Sequence, residues 1–373
     1  MEKLILSDYY PAVRAGQYDL LALNEVEDER KAKISPIISI RGESTKVLDS
    51  FVEKWGNTPC WVDSSRFAID AQSRLSIELN DHSNNFSNKQ ELFKKLMSAN
   101  TAILPVIGFS SGDTTRSVVQ FSLRMLEIAP HVAIRLEGSQ KVLDKNINHV
   151  RAILNAISDS DFGRIALIID RGSISTLPAL QDGSSVMRCM DLIKEFPIQN
   201  IITLSTSWPE ERPDSGKSAR PNCIDPNWQA MLHFAYTGKA NFAYGDYAAT
   251  NPVRDVLDGY NPAMMAQPIP FAGYFAPLYW HQERHGSSGE NDKFQDIADI
   301  FQNLPDFHGE EFCWGTKEIV EIASGSRKTG SGNMSYWNKI RVNQHVCAML
   351  DALQRGLLRD LVTPADDIED DLI

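Results

Sequence analysis

The stretch Arg164-Ile165-Ala166-Leu167-Ile168-Ile169-Asp170 decides the fold, because five consecutive apolar residues run between two charged ones. An uninterrupted apolar run that ends in a charged residue is typical of a strand buried on both faces of a parallel sheet. A helical pattern follows over Ser185–Phe196, where apolar residues recur along one face. The stretch therefore predicts a strand–helix unit of an α/β protein.

Similar units recur on both sides of this stretch. We predict eight strands, at Pro36–Arg41, Cys60–Asp63, Ala102–Phe109, Val132–Glu137, Arg164–Asp170, Asn200–Ser205, Asn241–Asp246 and within Ala272–Trp280. Further helical patterns lie at Ser44–Trp55, Lys89–Met97, Thr115–Ile128 and Lys141–Ile157. Eight such units over roughly 250 residues predict a (β/α)8 TIM-like barrel. The alternative is an open doubly wound sheet, but its Gly-x-Gly-x-x-Gly fingerprint does not follow the first strand.

The predicted units leave the end of the chain outside the barrel. We predict a (β/α)8-type barrel over residues 1–304 and a C-terminal extension over residues 305–373. The extension contains a helical pattern near Tyr336–Leu361 and an acidic tail, Asp366–Asp371.

Charge and cysteine usage limit the class of protein. The net charge of −12 opposes direct non-specific binding of nucleic acid, which requires a basic surface. The five cysteines are widely spaced, as expected for a reducing compartment rather than a disulfide framework. The N-terminus lacks a signal-peptide pattern, and no apolar run is long enough to span a membrane. We therefore expect a cytoplasmic protein with no membrane partner.

Charged residues at the predicted strand ends are the candidate site, because barrels of this type bind ligands at the C-terminal ends of their strands. The arginines suit a phosphate or carboxylate, and the carboxylates suit acid–base chemistry or a divalent cation such as magnesium. We assign no defined metal ligands. The candidate catalytic groups are Asp63, Glu137, Asp170 and Asp246, and the candidate ligand-binding groups are Arg41, Arg66, Arg135 and Arg171. Alternatively, these charges form ion pairs that close the rim of the barrel.

Both ends of the chain carry motifs that resemble a known family. The N-terminal motifs are Tyr10–Tyr18 (YPAVRAGQY), Leu20–Leu23 (LLAL) and Ile34–Ile38 (ISPII). The C-terminal motifs are Gly332, Trp337–Ile340 (WNKI) and Asn343–His345 (NQH). Together they resemble the phage "beta protein" family over nearly the whole chain. The family's usual His-His pair corresponds here to Gln344-His345.

The resemblance implies a context and no particular reaction, since such proteins occur in phages and in bacterial mobile or defence-related regions. Near the C-terminal motif, Arg341 and His345 are further candidate ligand-binding residues, because glycines and a helix start offer donors to anions. Trp337 either stacks on a base or anchors its helix.

Two functions fit these observations. The first is a component of an antiphage defence or phage-related system whose barrel mouth binds a phosphorylated or nucleotide-like ligand, with hydrolysis of that ligand left open as an option. The second is a non-catalytic interaction subunit that uses the barrel as a scaffold for a protein partner in a defence complex. The arrangement of the strand-end charges distinguishes them: convergence on an open pocket favours the first, and mutual pairing favours the second.

Overall fold

Eight parallel strands close into a barrel. The structure is a computed structural model that describes residues 3–64, 73–110, 112–137, 143–209, 211–252, 267–276 and 278–363. In chain order, the eight barrel strands and the three strands of a second sheet are β1 Tyr9–Arg14, β2 Ile37–Ser39, β3 Cys60–Asp63, β4 Ile103–Ile107, β5 Val132–Glu137, β6 Ile165–Ser173, β7 Asn200–Thr206, β8 Lys217–Ala219, β9 Asn241–Asp246, β10 Phe271–Ala276 and β11 Tyr279–Arg284. The barrel order is β1-β2-β3-β4-β5-β6-β7-β9. The predicted barrel is thereby confirmed.

Helices surround the barrel between these strands. Their bounds are Gln17–Asn24, Asp28–Lys31, Lys46–Lys54, Arg74–Leu79, Ser87–Ala99, Thr115–Ile128, Leu143–Ala156, Ser185–Glu195, Asp225–Ala235, Lys293–Gln302, Trp314–Ala323, Met334–Gln354 and Leu357–Asp360. Short 3-10 turns lie at His82–Asn84, Asp159–Arg164 and Glu310–Phe312. Among the described residues, none of the helices has the length and apolar character to cross a membrane.

The eighth barrel strand is not the one predicted. β1 closes the barrel by pairing in parallel with β9 on one side and with β2 on the other. The span Ala272–Trp280 does contain strand, but its assignment as the eighth barrel strand is wrong, because it runs from β10 into β11, which pair with each other antiparallel. With β8, they form a separate three-stranded sheet.

Residues alternate along each strand between two hydrophobic layers. The inner layer fills the barrel with side chains such as Tyr10, Trp61 and Ile168. The outer layer joins the other faces of the strands to the helices and includes Tyr9 and Ile169. The alternation therefore decides whether a polar residue at a strand end faces the barrel axis or the helices.

The long helix Met334–Gln354, called the C-terminal helix below, belongs to the barrel's outer layer. It packs against the helix Gln17–Asn24, against β1 and against β10. Its residues Val346, Cys347 and Met349 share one apolar cluster with the outer face of the barrel. The acidic tail, Asp366–Asp371, lies outside the described residues.

Candidate functional site

Four side chains meet inside the C-terminal end of the barrel, and we call them the mouth cluster: Asp63, Arg135, Asp170 and Tyr247. Alternation turns Asp63, Arg135 and Asp170 inward, in phase with the inner-layer residues of their strands, and Tyr247 itself belongs to the inner layer. All four are at least 96% buried, with exposed fractions of 0%, 2%, 4% and 2%. The cluster thus forms the floor of the barrel mouth.

Arg135 holds the mouth cluster together. Its Nη1 donates to Asp63 Oδ2 at 2.9 Å, while its Nε and Nη2 donate to Asp170 Oδ2 at 3.0 and 2.9 Å. Burial alone lowers the pKa of the guanidinium, but its interactions with Tyr247, Asp170 and Asp63 outweigh burial and raise the pKa well above its ordinary value. Arg135 is therefore a permanent cation shared between two carboxylates.

Asp170 gathers several donors at a bulge in β6. The Tyr247 hydroxyl lies 2.8 Å from Asp170 Oδ2, and the Gly172 amide donates to Asp170 Oδ1 at 2.8 Å. Gly172 adopts a φ of +61°, which favours glycine, where the register between β6 and β7 shifts. Burial, followed by the Asp170 charge, raises the pKa of Tyr247 well above its ordinary value. The phenol therefore stays protonated and acts as a donor.

The rim above this floor carries further charges. Glu137, the last residue of β5, is exposed and lies beside Asp170 in the strand register. Arg171 is half-buried, and its Nη1 donates to Ser185 Oγ at 2.8 Å. Arg41 is exposed, and its guanidinium lies close to Gly16: a Cβ on Gly16 would be 3.1 Å from Arg41 Nη1. Arg66 lies outside the described residues.

Arg14 is a rim residue that the sequence analysis did not assign. It ends β1 and follows the alternation of Tyr10 and Ala12, which places it on the inward face of the barrel. Its side chain is half-buried. Alternation along YYPAVR would have identified Arg14, had this stretch been recognised as a barrel strand.

Asp246 lies on the opposite face of its strand from the mouth cluster. It belongs to a second buried group, called the outer cluster here, which links β1, β9 and the helices: Tyr9, Asp225, Tyr244, Asp246 and His345. Asp246 accepts from the Tyr9 hydroxyl at 2.5 Å and lies 2.8 Å from His345 Nε2. The structure therefore brings Asp63 and Asp170 together but not Asp246.

The outer cluster contains two neighbouring carboxylates. Tyr244 donates to Asp225 and also lies near Asp246, and Asp225 accepts from the Ser207 hydroxyl. Burial, followed by repulsion from Asp246, raises the pKa of Asp225. His345 stacks on Trp280, with ring centroids 4.9 Å apart. These contacts fasten the C-terminal helix to the barrel.

The remaining candidates near the C-terminal motif have different surroundings. Trp337 is 2% exposed, its ring stacks on Phe294 at 5.2 Å between centroids, and its Nε1 donates to the Ser331 carbonyl at 2.9 Å. This is the environment of an anchoring residue. Arg341 lies over the ring of Trp208 at 4.5 Å, beyond the end of β7. Within the described ranges, there is no group of three or more His, Cys, Asp and Glu side chains that could hold a metal ion.

Comparison with known proteins identifies the family to which the chain belongs. The model of the family described as "Beta protein" matches residues 9–351. The chain belongs to this family. It is similar to "Protein beta" of Enterobacteria phage P4, with 26% identity over 367 residues, covering 94% of this chain and 96% of that protein. The Beta protein match begins at β1, the strand that closes the barrel, and extends into the C-terminal helix.

Proposed function

We propose that this Beta protein acts in an antiphage defence or other phage-related system by binding a small phosphorylated or nucleotide-like ligand at the barrel mouth. The proposal is supported by two arginines on the C-terminal side of adjacent barrel strands: Arg14 ends β1, and Arg41 follows the last residue of β2 by two positions. Guanidinium groups carried by adjacent strands are well suited to a phosphate.

The mouth cluster, which forms the floor of the site, favours the hydroxyl groups of a ligand rather than its phosphate. The mouth cluster carries two carboxylates against one guanidinium, so its formal charge is negative and it would repel a phosphate. Carboxylate oxygens instead accept hydrogen bonds from sugar hydroxyls. A phosphorylated sugar or a nucleotide fits both the rim and the floor, with its phosphate at the rim arginines and its hydroxyl groups toward the mouth cluster.

Binding without hydrolysis fits the hydrogen bonds best. Asp63 accepts from Arg135, and Asp170 accepts from Arg135, Tyr247 and Gly172. Protonation of either carboxylate would weaken its charge-assisted hydrogen bond with Arg135, so a proton transfer from water to Asp63 or Asp170 is unfavourable. We therefore assign the mouth cluster to shaping the site, with a divalent cation such as magnesium as a ligand to be tested.

A second candidate function is that of a non-catalytic interaction subunit in a defence complex. The mutual pairing of Asp63, Arg135 and Asp170 favours it, as do two exposed apolar side chains on the helix Asp225–Ala235. Met231 is 49% exposed and Phe234 is 67% exposed. Exposed apolar groups spaced along one helix face suit a protein partner.

A thermal-shift screen separates the two functions. The probes are inorganic phosphate, ribose 5-phosphate, adenosine and guanosine nucleotides, and magnesium chloride. A probe at 100 times its dissociation constant adds about 2.7 kcal/mol of stability, which is visible as a higher melting temperature. Arg41→Ala should reduce the shift by about half or more, whereas Arg355→Ala, whose 79% exposed side chain directly follows the C-terminal helix, should preserve it.

Either of two results would contradict ligand binding at the mouth. One is that the protein is folded but none of the probes raises its melting temperature, which would favour the interaction subunit. That alternative predicts that the protein co-purifies with a neighbouring gene product and that Phe234→Ser weakens this association. The other contradictory result is an equal shift in Arg41→Ala and in the wild-type protein.

A further inference from the structure

A groove runs between two neighbouring helices on the side of the barrel, and we call it the lysine groove. The helices Gln17–Asn24 and Lys46–Lys54 pack against each other and leave a cavity of about 370 Å³ between them. The groove is lined by four apolar residues and two lysines, namely Leu20, Leu21, Val47, Phe51, Lys46 and Lys54.

The floor of the lysine groove is apolar. Leu20 and Phe51 are each 2% exposed and fasten the two helices to the core, whereas Val47 is 40% exposed and Leu21 is half-buried. Exposed apolar surface beside a cavity offers contact area that the helices themselves do not cover. The floor therefore suits an apolar side chain of a bound segment.

The charges of the lysine groove are all positive. Lys46 begins its helix and Lys54 ends it, so the two residues lie eight positions and about 12 Å apart along the axis. Both are exposed. Within the ranges that the structure describes, neither lysine forms an ion pair and no carboxylate lines the groove; Asp49 of the same helix lies 2.7 Å from Lys95 Nζ instead. The groove therefore favours an acidic partner.

The acidic tail, Asp366–Asp371, has the chemistry that this groove requires. It carries five carboxylates and one apolar residue, Ile368. Residues four apart in an extended segment are separated by about 13 Å, which matches the spacing of the two lysines. Asp367 and Asp371 can therefore pair with both lysines, while Ile368, on the other face of an extended segment, reaches the apolar floor.

A second copy of the chain is the source of the tail. Thr363, the last described residue, lines a pocket beside the helix Asp225–Ala235, which covers β7 and β9. The C-terminal helix and the helix Gln17–Asn24 lie between this position and the groove. Packed helices are about 8–10 Å apart, so the path is on the order of 25 Å. Asp367 follows Thr363 by four residues and reaches at most about 14 Å from it.

We propose that the lysine groove binds the acidic tail of a second copy of this chain. Two copies that exchange tails form a symmetric dimer with two identical contacts, and each contact pairs two lysines with two aspartates around one apolar side chain. Exposed ion pairs contribute little energy individually, so the presence of two contacts in one dimer matters for its stability. This inference does not depend on ligand binding at the mouth.

Sedimentation velocity of the full-length protein over a range of concentrations tests the proposal. We expect a dimer whose dissociation constant increases with salt. The groove variant Lys46→Glu/Lys54→Glu and the tail variant Asp367→Lys/Asp371→Lys should each associate at least tenfold more weakly, because each places like charges opposite each other. The matched control Lys33→Glu/Lys317→Glu changes two exposed lysines outside the groove and should dimerise like the wild-type protein.

A mixture of the groove variant and the tail variant provides a test by rescue. The mixture places opposite charges at both contacts again, so we expect mixed dimers at concentrations where neither variant dimerises alone. Two results would overturn the proposal. One is a wild-type protein that stays monomeric at every concentration, and the other is a groove variant that dimerises as tightly as the control.

Discussion

Arg135 determines the charge balance of the barrel mouth. It is 2% exposed and makes ion pairs with both Asp63 and Asp170. A buried charge is stable only when its partners replace water, so the three residues depend on one another. Removal of the Arg135 side chain should therefore destabilise the protein strongly.

We predict that Arg135→Ala lowers the free energy of unfolding by about 3–5 kcal/mol, because it leaves two buried carboxylates without their cation. The matched control is Arg151→Ala, whose ion pair with Glu195 is 41% and 38% exposed. The control should cost less than about 1 kcal/mol. Urea denaturation measures both values. Equal losses of unfolding free energy in the two variants would show that Asp63 and Asp170 do not depend on Arg135 for their stability.

We predict that His233 makes the stability of the protein depend on pH. Burial lowers its pKa from 6.5 to about 4, and its Nε2 lies 2.9 Å from Thr203 Oγ1. Between these values the unfolded chain binds the proton more tightly than the folded protein does. Stability should therefore be complete above pH 6.5 and fall as the pH decreases toward about 4.

The expected loss is at most about 3 kcal/mol, since each pKa unit corresponds to 1.36 kcal/mol and the ring keeps some contact with solvent. His233→Gln removes the titrating group and retains a side-chain donor for Thr203. Urea denaturation from pH 7 to pH 4 should give a flatter stability profile for this variant than for the wild-type protein. Identical profiles would exclude His233 as the source.

At the scale of secondary-structure elements, β9 lies between β7 and β1 and completes the barrel. Gly245 occupies its tightest point: a Cβ there would lie 2.9 Å from the Thr203 carbonyl oxygen and 3.0 Å from the Tyr10 carbonyl oxygen. These neighbours are backbone atoms that cannot rotate away. The closure of the barrel therefore requires glycine at this position.

We predict that Gly245→Ala destabilises the protein by about 1–3 kcal/mol through overpacking. The control is Gly163→Ala, whose Cβ would make an ordinary contact with Lys3 Cγ at 3.5 Å. The control should change stability by less than about 0.5 kcal/mol. Calorimetric melting compares the two. A neutral Gly245→Ala would contradict the close approach of the three strands.

Local sequence patterns predicted most of the elements. The prediction for Thr115–Ile128 matches the observed helix, and Cys60–Asp63 and Val132–Glu137 match observed strands. β1 was missed because Pro11 interrupts an otherwise apolar run, and a proline argues against a strand with neighbours on both sides. β10 and β11 were merged because their apolar residues continue across the turn between them.

At the scale of the whole molecule, sequence position predicted which residues end strands but not which face they occupy. Asp170 and Asp246 both end apolar runs, yet Asp170 faces the axis and Asp246 faces the C-terminal helix. Alternation could have separated them. Ala243 and Gly245 share the inner face of β9, so Asp246, the next residue, lies on the outer face. The contact between His345 and Asp246 joins residues 99 positions apart, and no local pattern indicates it.

The central claim is that the rim arginines bind a phosphorylated ligand above the mouth cluster. Isothermal titration of the most stabilising phosphorylated probe into the wild-type protein, Arg41→Ala and Arg355→Ala tests it most directly. We expect one site per chain, affinity that falls as salt increases, and at least a tenfold (about 1.4 kcal/mol) weaker affinity in Arg41→Ala alone. Equal affinities in all three proteins would contradict the claim and place the ligand elsewhere.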